Sequence, residues 1–384
     1  MLIAGEASGD LLAAELVCAL RSQWPDARFI GAGGTKMKVA GVRLAFDLTQ
    51  HSVIGISDVL KNLSEYRRLF NQLLELAVKQ KPDAVIGVDY GGFNLRFGHA
   101  VKKLARKSRG AWNPKIIQFV SPQVWASRPG RARRLAKDYD LLLSIFPFEK
   151  DWYARRVPKL RVEFVGHPMV ERYSSEGRVP RAPIPDNSGT RGARPSEILL
   201  LPGSRAGELQ RHLPVMLAAL KLIRSKLPDV QAKMVLPNQA LKQLAEKMSA
   251  LPANFEIQTG RLPEALARAD AAIASTGTVT MECAFFGVPT VTLYKTSWLT
   301  YQIARRIVTV KSLTMPNLLA GGEVFPEFVQ NAATPGNIAA AALELLQNEP
   351  RRAQIKNRLA EVVSTLGASG ASARAASAIS SLFT

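Results

Sequence analysis

The stretch Lys81–Leu104, KPDAVIGVDYGGFNLRFGHAVKKL, passes from a strand into a helix through one acid and two glycines. Ala84 to Val88 is a short continuous apolar run, the pattern of a strand covered on both faces. Beyond Phe93 and Asn94 the apolar residues recur at helical spacing. Asp89, Gly91 and Gly92 occupy the turn between them. The same unit recurs on both sides of this stretch. MLIAG leads into EASGDLLAAELVCALRSQ, with Leu11, Leu12, Leu16 and Leu20 along one side, and RFIGAGG, KIIQFVS, LLLSIFPFE and VEFVGHP read as further strands. Repeated strand–helix alternation predicts a doubly wound parallel α/β sheet.

The alternation breaks at Ser174–Glu197, SSEGRVPRAPIPDNSGTRGARPSE, which has no periodicity and reads as a linker or surface loop. It resumes with ILLLPGSRAGELQRHLPVMLAALKLI, QAKMVLP, FEIQTG, AAIASTGTVTMECAFFG and PTVTLYK, a second α/β domain. From about Pro335 the chain is Ala-rich and helical. The expected division is a first Rossmann-like domain over 1–172, a linker over 173–197, a second over 198–345, and terminal helices over 346–384 that pack back on the first domain or exchange in a dimer.

The 384 residues suffice for two or three domains, and 47% hydrophobic content is that of a globular protein. No apolar run approaches the ~20 residues of a membrane-spanning helix. The start MLIAGEASGD lacks the basic and long apolar regions of a secretion signal, so a cytoplasmic protein is expected. Cys18 and Cys283 read as small core residues, and the four histidines are scattered, so neither a disulfide nor a metal or cofactor is expected. With 51 Lys and Arg against 31 Asp and Glu, the formal charge is +20. That favours polyanionic partners, or serves solubility alone.

Ligands of parallel sheets bind at the carboxyl ends of strands. Four such loops carry chemistry. Gly5–Asp10, GEASGD, lacks the dinucleotide fingerprint. Its acids, Glu6 and Asp10, would repel a pyrophosphate and suit sugar hydroxyls, unless Ser8 or Asp10 caps the helix. In Leu199–Leu209, LLLPGSRAGEL, a strand, a turn through Ser204, then Arg205 and a helix suit a phosphate cradle without P-loop spacing, unless Arg205 is only a solvated arginine at a turn. In Ala274–Lys295, ASTGTVTMECAFFGVPTVTLYK, Ser275, Thr276, Gly277 and Thr278 crowd a helix N-terminus suited to pyrophosphate. Glu282 sits there among Met281, Cys283, Ala284 and Phe285. It would take a ribose diol or a salt bridge. Ser121–Lys137, SPQVWASRPGRARRLAK, sets Arg128, Arg131, Arg133, Arg134 and Lys137 beside Trp125. Nucleic acid, a phosphorylated lipid, or solvent alone would fit that face. His51–Leu76 is a basic amphipathic stretch with Val53, Ile54, Ile56, Val59 and Leu60 at its start, suited to a membrane surface or to the core.

Taken in order, AGEASGD, IGVDYGGFN, SPQVWASRPGRARRLAK, FPFE, FVGHP, LLPGSRAGEL, STGTVTMECAFFGVPTVTLYK and PNLLAGGEVFPEFVQ resemble the lipid-A-disaccharide synthase family over nearly the whole chain. The resemblance implies a GT-B fold, two Rossmann-like domains facing a cleft, and inverting, metal-independent transfer between acylated sugars. The donor would be UDP-2,3-diacylglucosamine and the acceptor 2,3-diacylglucosamine 1-phosphate, at the surface of the inner membrane, with no nucleic acid and with a homodimer as one arrangement. It implies that Arg205, Ser204, Ser275, Gly277 and Thr278 hold the UDP phosphates and Glu282 the ribose. Asn317, Glu323, Glu327 and Gln330 would line the donor side, and Glu6, Ser8, Asp10 and Asn94 the acceptor side. Asp89 is expected as the base that takes the acceptor's proton, with Glu6 second and a helix cap as its structural alternative. Many members carry another acid three residues on, where this chain has Gly92, and an arginine where it has Gly322. The rival readings are another UDP-sugar enzyme of this fold, such as a UDP-N-acetylglucosamine 2-epimerase, and a non-catalytic protein that binds anionic membrane or nucleic acid.

Overall fold

The computed structural model describes residues 1–49, 63–175, 195–248, 251–252 and 255–384. Val53 to Leu60, at the start of the basic amphipathic stretch, and most of the expected linker lie outside them. The chain divides into two compact units, Met1–Gly177 with Leu366–Thr384, and Arg178–Thr365.

In the first unit the order is β1 (Leu2–Ala4), α1 (Ala7–Gln23), β2 (Ile30–Gly33), α2 (Thr35–Val39), β3 (Arg43–Asp47), α3 (Leu63–Gln80), β4 (Ala84–Val88), α4 (Gly91–Lys107) and β5 (Lys115–Phe119). Then come α5 (Val124–Ser127), α6 (Ala132–Asp138), β6 (Leu141–Ser144), α7 (Pro147–Arg156), β7 (Val162–Phe164) and α8 (Pro168–Ser175). The seven strands are parallel, ordered β3-β2-β1-β4-β5-β6-β7. Strands covered by helices on both faces are largely apolar, and in the middle ones Val85, Ile86, Val88, Ile116, Ile117, Phe119 and Leu141 to Leu143 are all buried, with Gln118 and Ser144 as buried polar residues among them. One cluster joins Val85, Ile116 and Leu142 to Phe93, Phe97 and Val101 of α4, Leu69 and Leu73 of α3, and Tyr153 of α7.

The second unit runs β8 (Glu197–Leu201), α9 (Ala206–Lys226), β9 (Gln231–Leu236), α10 (Gln239–Met248), β10 (Glu256–Thr259), α11 (Leu262–Arg268), β11 (Ala271–Ser275) and α12 (Thr278–Phe285). It continues with β12 (Thr290–Tyr294), α13 (Trp298–Ile307), α14 (Met315–Ala320), β13 (Glu327–Val329), α15 (Pro335–Gln347) and α16 (Glu349–Ser364). Its six parallel strands are ordered β10-β9-β8-β11-β12-β13. Both sheets are Rossmann-like, so the predicted α/β class is the observed one.

The terminal helices separate. α16 stays in the second unit, where Arg358 donates to the Ala320 carbonyl at 2.6 Å. α17 (Ala371–Ser380) returns to the first unit and lies on α1 of its own chain. It buries Ala371, Ala375, Ala376 and Ile379, and Gln23 donates to the Ser377 hydroxyl at 3.1 Å. Cys283 is buried as expected, but Cys18 is exposed on the outer side of α1, opposite the face that Leu16, Val17 and Leu20 turn inward.

Glycine is required where strands approach closely. A Cβ on Gly31 in β2 would drive into the Leu2 carbonyl of β1, whereas one on Gly92 would meet nothing within 4 Å. Gly31→Ala is therefore expected to cost about 1–3 kcal/mol, the scale of overpacking, and to lower the thermal midpoint by several degrees. Gly92→Ala should leave the midpoint unchanged or slightly raised. Equal midpoints for the two variants would refute this account of the sheet.

Candidate functional site

Each sheet has one point where the strand order reverses, between β1 and β4 and between β8 and β11. Crevices at the carboxyl ends of strands open there.

In the first unit Ala4 is in register with Val88, so Gly5–Asp10 adjoins the turn at Asp89. Asp89 and Tyr90 both have left-handed backbones, at φ +50° and +46°. Non-glycine residues disfavour this region and stay there only when neighbours hold them. Asn94 Nδ2 and Gln118 Nε2 both donate to the Asp89 carbonyl, at 2.8 and 2.9 Å, and the Asp89 N–H donates to the Phe119 carbonyl at 2.8 Å. The Tyr90 ring lies across Gly5, where any Cβ would overlap it, and Tyr66 shares a hydrogen bond with Tyr90. A Cβ built on Gly9 would be 3.6 Å from that of Asp89, which puts the acid over the first turn of α1, next to Glu6 and Ser8. Glu6 is half-buried and Ser8 exposed. Tyr90, not Asp89, occupies the N-cap position of α4.

Two expected acceptor-side residues have other tasks. Asn94 is buried, and its amide pins the Asp89 turn from within. Asp10 caps α2 rather than α1: its carboxylate accepts from the N–H groups of Gly34, Lys36 and Met37 at 2.7, 2.9 and 3.1 Å. A carboxylate so engaged anchors a helix start and is a poor receiver for sugar hydroxyls.

In the second unit Leu201 is in register with Ala274, so the turn Pro202–Arg205 adjoins Ser275–Thr278. Gly203 takes φ +123° and Gly277 φ +149°, conformations only glycine adopts freely. Ser204, Arg205, Gly277 and Thr278 are exposed and Ser275 is buried. Glu208 accepts from the Ser204 N–H at 3.1 Å and lies 3.7 Å from the Arg205 guanidinium. The Gly277 carbonyl accepts from the Thr280 hydroxyl at 2.7 Å and from the Thr280 N–H at 3.1 Å, and no side chain caps the start of α12 among the described residues. Glu282 is half-buried one turn on. Two glycine turns, a helix start and a guanidinium on adjacent strands are the parts from which anion-binding surfaces are built.

A buried histidine that sequence reading passed over ties this surface together. The Lys295 N–H at the end of β12 donates to His212 Nε2 at 3.0 Å, so Nδ1 carries the proton and donates to the Pro202 carbonyl at 2.8 Å. Desolvation holds His212 neutral by lowering its pKa. Its signal was a histidine on the apolar face of a helix, in LQRHL.

Three expected donor-side residues are framework. Asn317 is buried, donates to the Phe325 carbonyl and to Glu327, and accepts from the Val324 and Phe325 N–H groups, all at 2.8 Å. Glu327 also accepts from the N–H groups of Leu313 and Thr314. Gln330 is bonded at both ends to the Thr296 backbone. Glu323 is exposed at the tip of the loop these residues shape.

Glu149, in FPFE, is a further buried acid. Trp125 Nε1 donates to its Oε1 at 2.9 Å, and Oε2 has no partner among the described residues. Burial pushes its pKa up to about 7 against the pull of Trp125 and Ser121.

A model of the lipid-A-disaccharide synthetase family matches residues 1–381. The lipid-A-disaccharide synthase of Alkalilimnicola ehrlichii is 35% identical over 385 residues, which cover 97% of this chain and 96% of the relative. That of Myxococcus xanthus is 36% identical over 380 residues, covering 99% and 96%. The chain also shares its fold with a putative UDP-N-acetylglucosamine 2-epimerase from Listeria monocytogenes, at a TM-score of 0.64 and 14% identity over 100% of this chain and 95% of the other.

The folded state raises the pKa of Glu149, so its protonated form stabilises fully below the ordinary glutamate value, and that contribution is lost as pH rises through about 7. The loss is on the order of 3 kcal/mol. Glu149→Gln keeps an acceptor for Trp125 and cannot ionise. Denaturant midpoints measured from pH 4.5 to 8 should fall in the parent and not in the variant, relative to each other. Parallel curves would show that Glu149 does not titrate in this way.

Proposed function

Because the chain belongs to the lipid-A-disaccharide synthase family, we propose that it joins UDP-2,3-diacylglucosamine to 2,3-diacylglucosamine 1-phosphate, forming a β-1,6-linked disaccharide and releasing UDP. The match over nearly the whole chain carries this reading. The epimerase alternative rests on a likeness of fold alone, at 14% identity. The acceptor's 6-hydroxyl attacks C1 of the donor, a carboxylate takes the hydroxyl proton, and the bond from C1 to the diphosphate breaks. Asp89 is the proposed base. Support comes from its place at the carboxyl end of β4 and from the strained turn that presents it, since strain of this kind gathers at functional sites. Arg205 and the start of α12 are proposed to stabilise the leaving diphosphate, and Glu282 to bind the ribose.

Asp89→Asn preserves the shape of the turn and removes proton acceptance. Turnover is expected to fall about a hundredfold or more, with UDP binding unchanged. Glu6→Gln should be the milder change, and the base is reassigned if it is the more damaging with UDP affinity intact. Arg205→Ala should lose most turnover in a protein whose melting curve is unaltered. Normal rates in all three variants would remove these roles.

No helix of the described residues is long and apolar enough to cross a membrane. We propose that the protein works on acylated substrates at an anionic membrane surface. The charge of +20 supports this, as does α13, which exposes Trp298, Leu299 and Ile303 and carries Arg305 and Arg306 in its last turn. Co-sedimentation with phosphatidylglycerol vesicles should weaken sharply between low and high salt. Binding indifferent to salt and to lipid charge would refute the electrostatic part.

A further inference from the structure

Four arginines of the first unit have no carboxylate against them among the described residues. Arg128, Arg131 and Arg134 follow one another at three-residue spacing through the 3₁₀ turn Pro129–Arg131 and into α6, which keeps them on one side. α6 lies alongside α4. His99 Nδ1 is 2.7 Å from Asp138, Lys102 reaches Asp140 at 3.0 Å, and Arg106 donates to the Lys137 carbonyl at 3.1 Å. Arg96 of α4 is close enough for its charge to act on Arg131. All four side chains belong to exposed residues, and none forms an ion pair among the described residues. Arg131 feels the rest directly: partial burial, then the charges of Arg128, Arg96 and Arg134, depress its pKa. Like charges gathered without a counter-ion repel one another, and a phosphate dianion reverses that penalty.

The segment that carries them is fastened from below. The Trp125 indole is held by the Glu149 carboxyl at 2.9 Å and stands edge-on to Phe148, with ring centroids 5.0 Å apart. Ser121 donates to the Tyr153 hydroxyl at 3.2 Å. The segment also borders the Asp89 turn, since a Cβ on Gly91 would be 3.1 Å from Pro122. Arg96 acts electrostatically on Tyr66, the partner of Tyr90. The cluster therefore sits at the carboxyl end of β5, one strand from the proposed base.

We infer that Arg96, Arg128, Arg131 and Arg134 form the binding site for the phosphate monoester of the acceptor sugar, and so select a phosphorylated acceptor and orient its hydroxyl. This rests on the glycosyltransferase reading above and adds the recognition of the anionic group. Arg133, two residues from Arg131 and on another side of the helix, takes no part.

The test is Arg128→Gln with Arg131→Gln in the full chain, with Arg133→Gln as control and a melting curve for each. Activity is measured in neutral detergent micelles with the acylated glucosamine 1-phosphate and with its dephosphorylated counterpart. The double variant should raise KM for the phosphorylated acceptor about tenfold or more, keep kcat within a few-fold, and leave UDP binding unchanged. Its preference over the dephosphorylated sugar should collapse, and inorganic phosphate, a competitor of the acceptor in the parent, should cease to compete. If the double variant unfolds, Arg96→Gln alone must show the same KM effect. Equilibrium binding of the two acceptors to micelle-bound protein reads the inference without turnover, so an inactive parent would count against the transfer reading alone. An unchanged preference for the phosphorylated acceptor overturns the inference. So does loss of phosphatidylglycerol-vesicle binding with an unchanged KM in micelles, which would assign the cluster to the membrane.

Discussion

The backbone at Asp89 and Tyr90 is the constraint on which the first unit turns. Two successive non-glycine residues in the left-handed region are unfavourable by themselves. They persist because two buried carboxamides, Asn94 from α4 and Gln118 from β5, converge on the single Asp89 carbonyl. That convergence dictates residues far apart in the chain. Position 87 must be glycine, because a Cβ there would come within 2.6 Å of Gln118 Oε1 and 2.9 Å of the Asn94 side chain. Position 5 must be glycine to lie under the Tyr90 ring. Asn94 Oδ1 and Gln118 Oε1 have no partners among the described residues, a debit of about 1–3 kcal/mol for each buried acceptor. Stability is given up so that one carboxylate stands over the first turn of α1.

The second unit solves a related problem by bracing. Under the proposed diphosphate role its exposed turns at Gly203 and Gly277 present donors to an anion, and much of their bracing comes from the core. His212 holds the β8 turn to the end of β12 from within the core. Gln330 and the Asn317–Glu327 pair hold the loops beyond β12 in the same manner. Preorganised donors act on developing charge without reorganising first, and a frame of buried polar side chains supplies that rigidity.

Both parallel sheets were legible because buried strands and amphipathic helices have different periods, and the turns between them stood out by composition. The edge strands β3 and β13 were not: β3, RLAFD, is half-exposed and β13, EFV, is short, so neither has the apolar run of a central strand. The placement of the candidate residues Asp89, Arg205 and Thr278 in turns at strand ends was legible, because it follows from the strands themselves. The site was illegible wherever side-chain direction decided the role. Asp10 turns to α2 because the Gly34–Met37 N–H groups converge there, a contact between segments distant in sequence. Asn94 and Asn317 sit among motif residues, yet a carboxamide serves a ligand or a backbone equally well. Only the left-handed turn at Asp89 and the loop at Val324–Phe325 decide between them.

The return of α17 to the first unit makes the second unit an insertion within the first. During synthesis the seven-stranded sheet emerges early, but the helix that covers α1 follows the whole second unit in the chain. Arg374, which donates to the Val165 carbonyl at 2.8 Å, and Phe383, whose ring meets Trp24 at 5.8 Å, arrive only after the entire second unit has been made. The inserted unit can therefore complete its fold while the outer one waits with one face of α1 uncovered. A chain that stops short of residue 366 would carry both candidate sites and still expose the apolar side of its first helix.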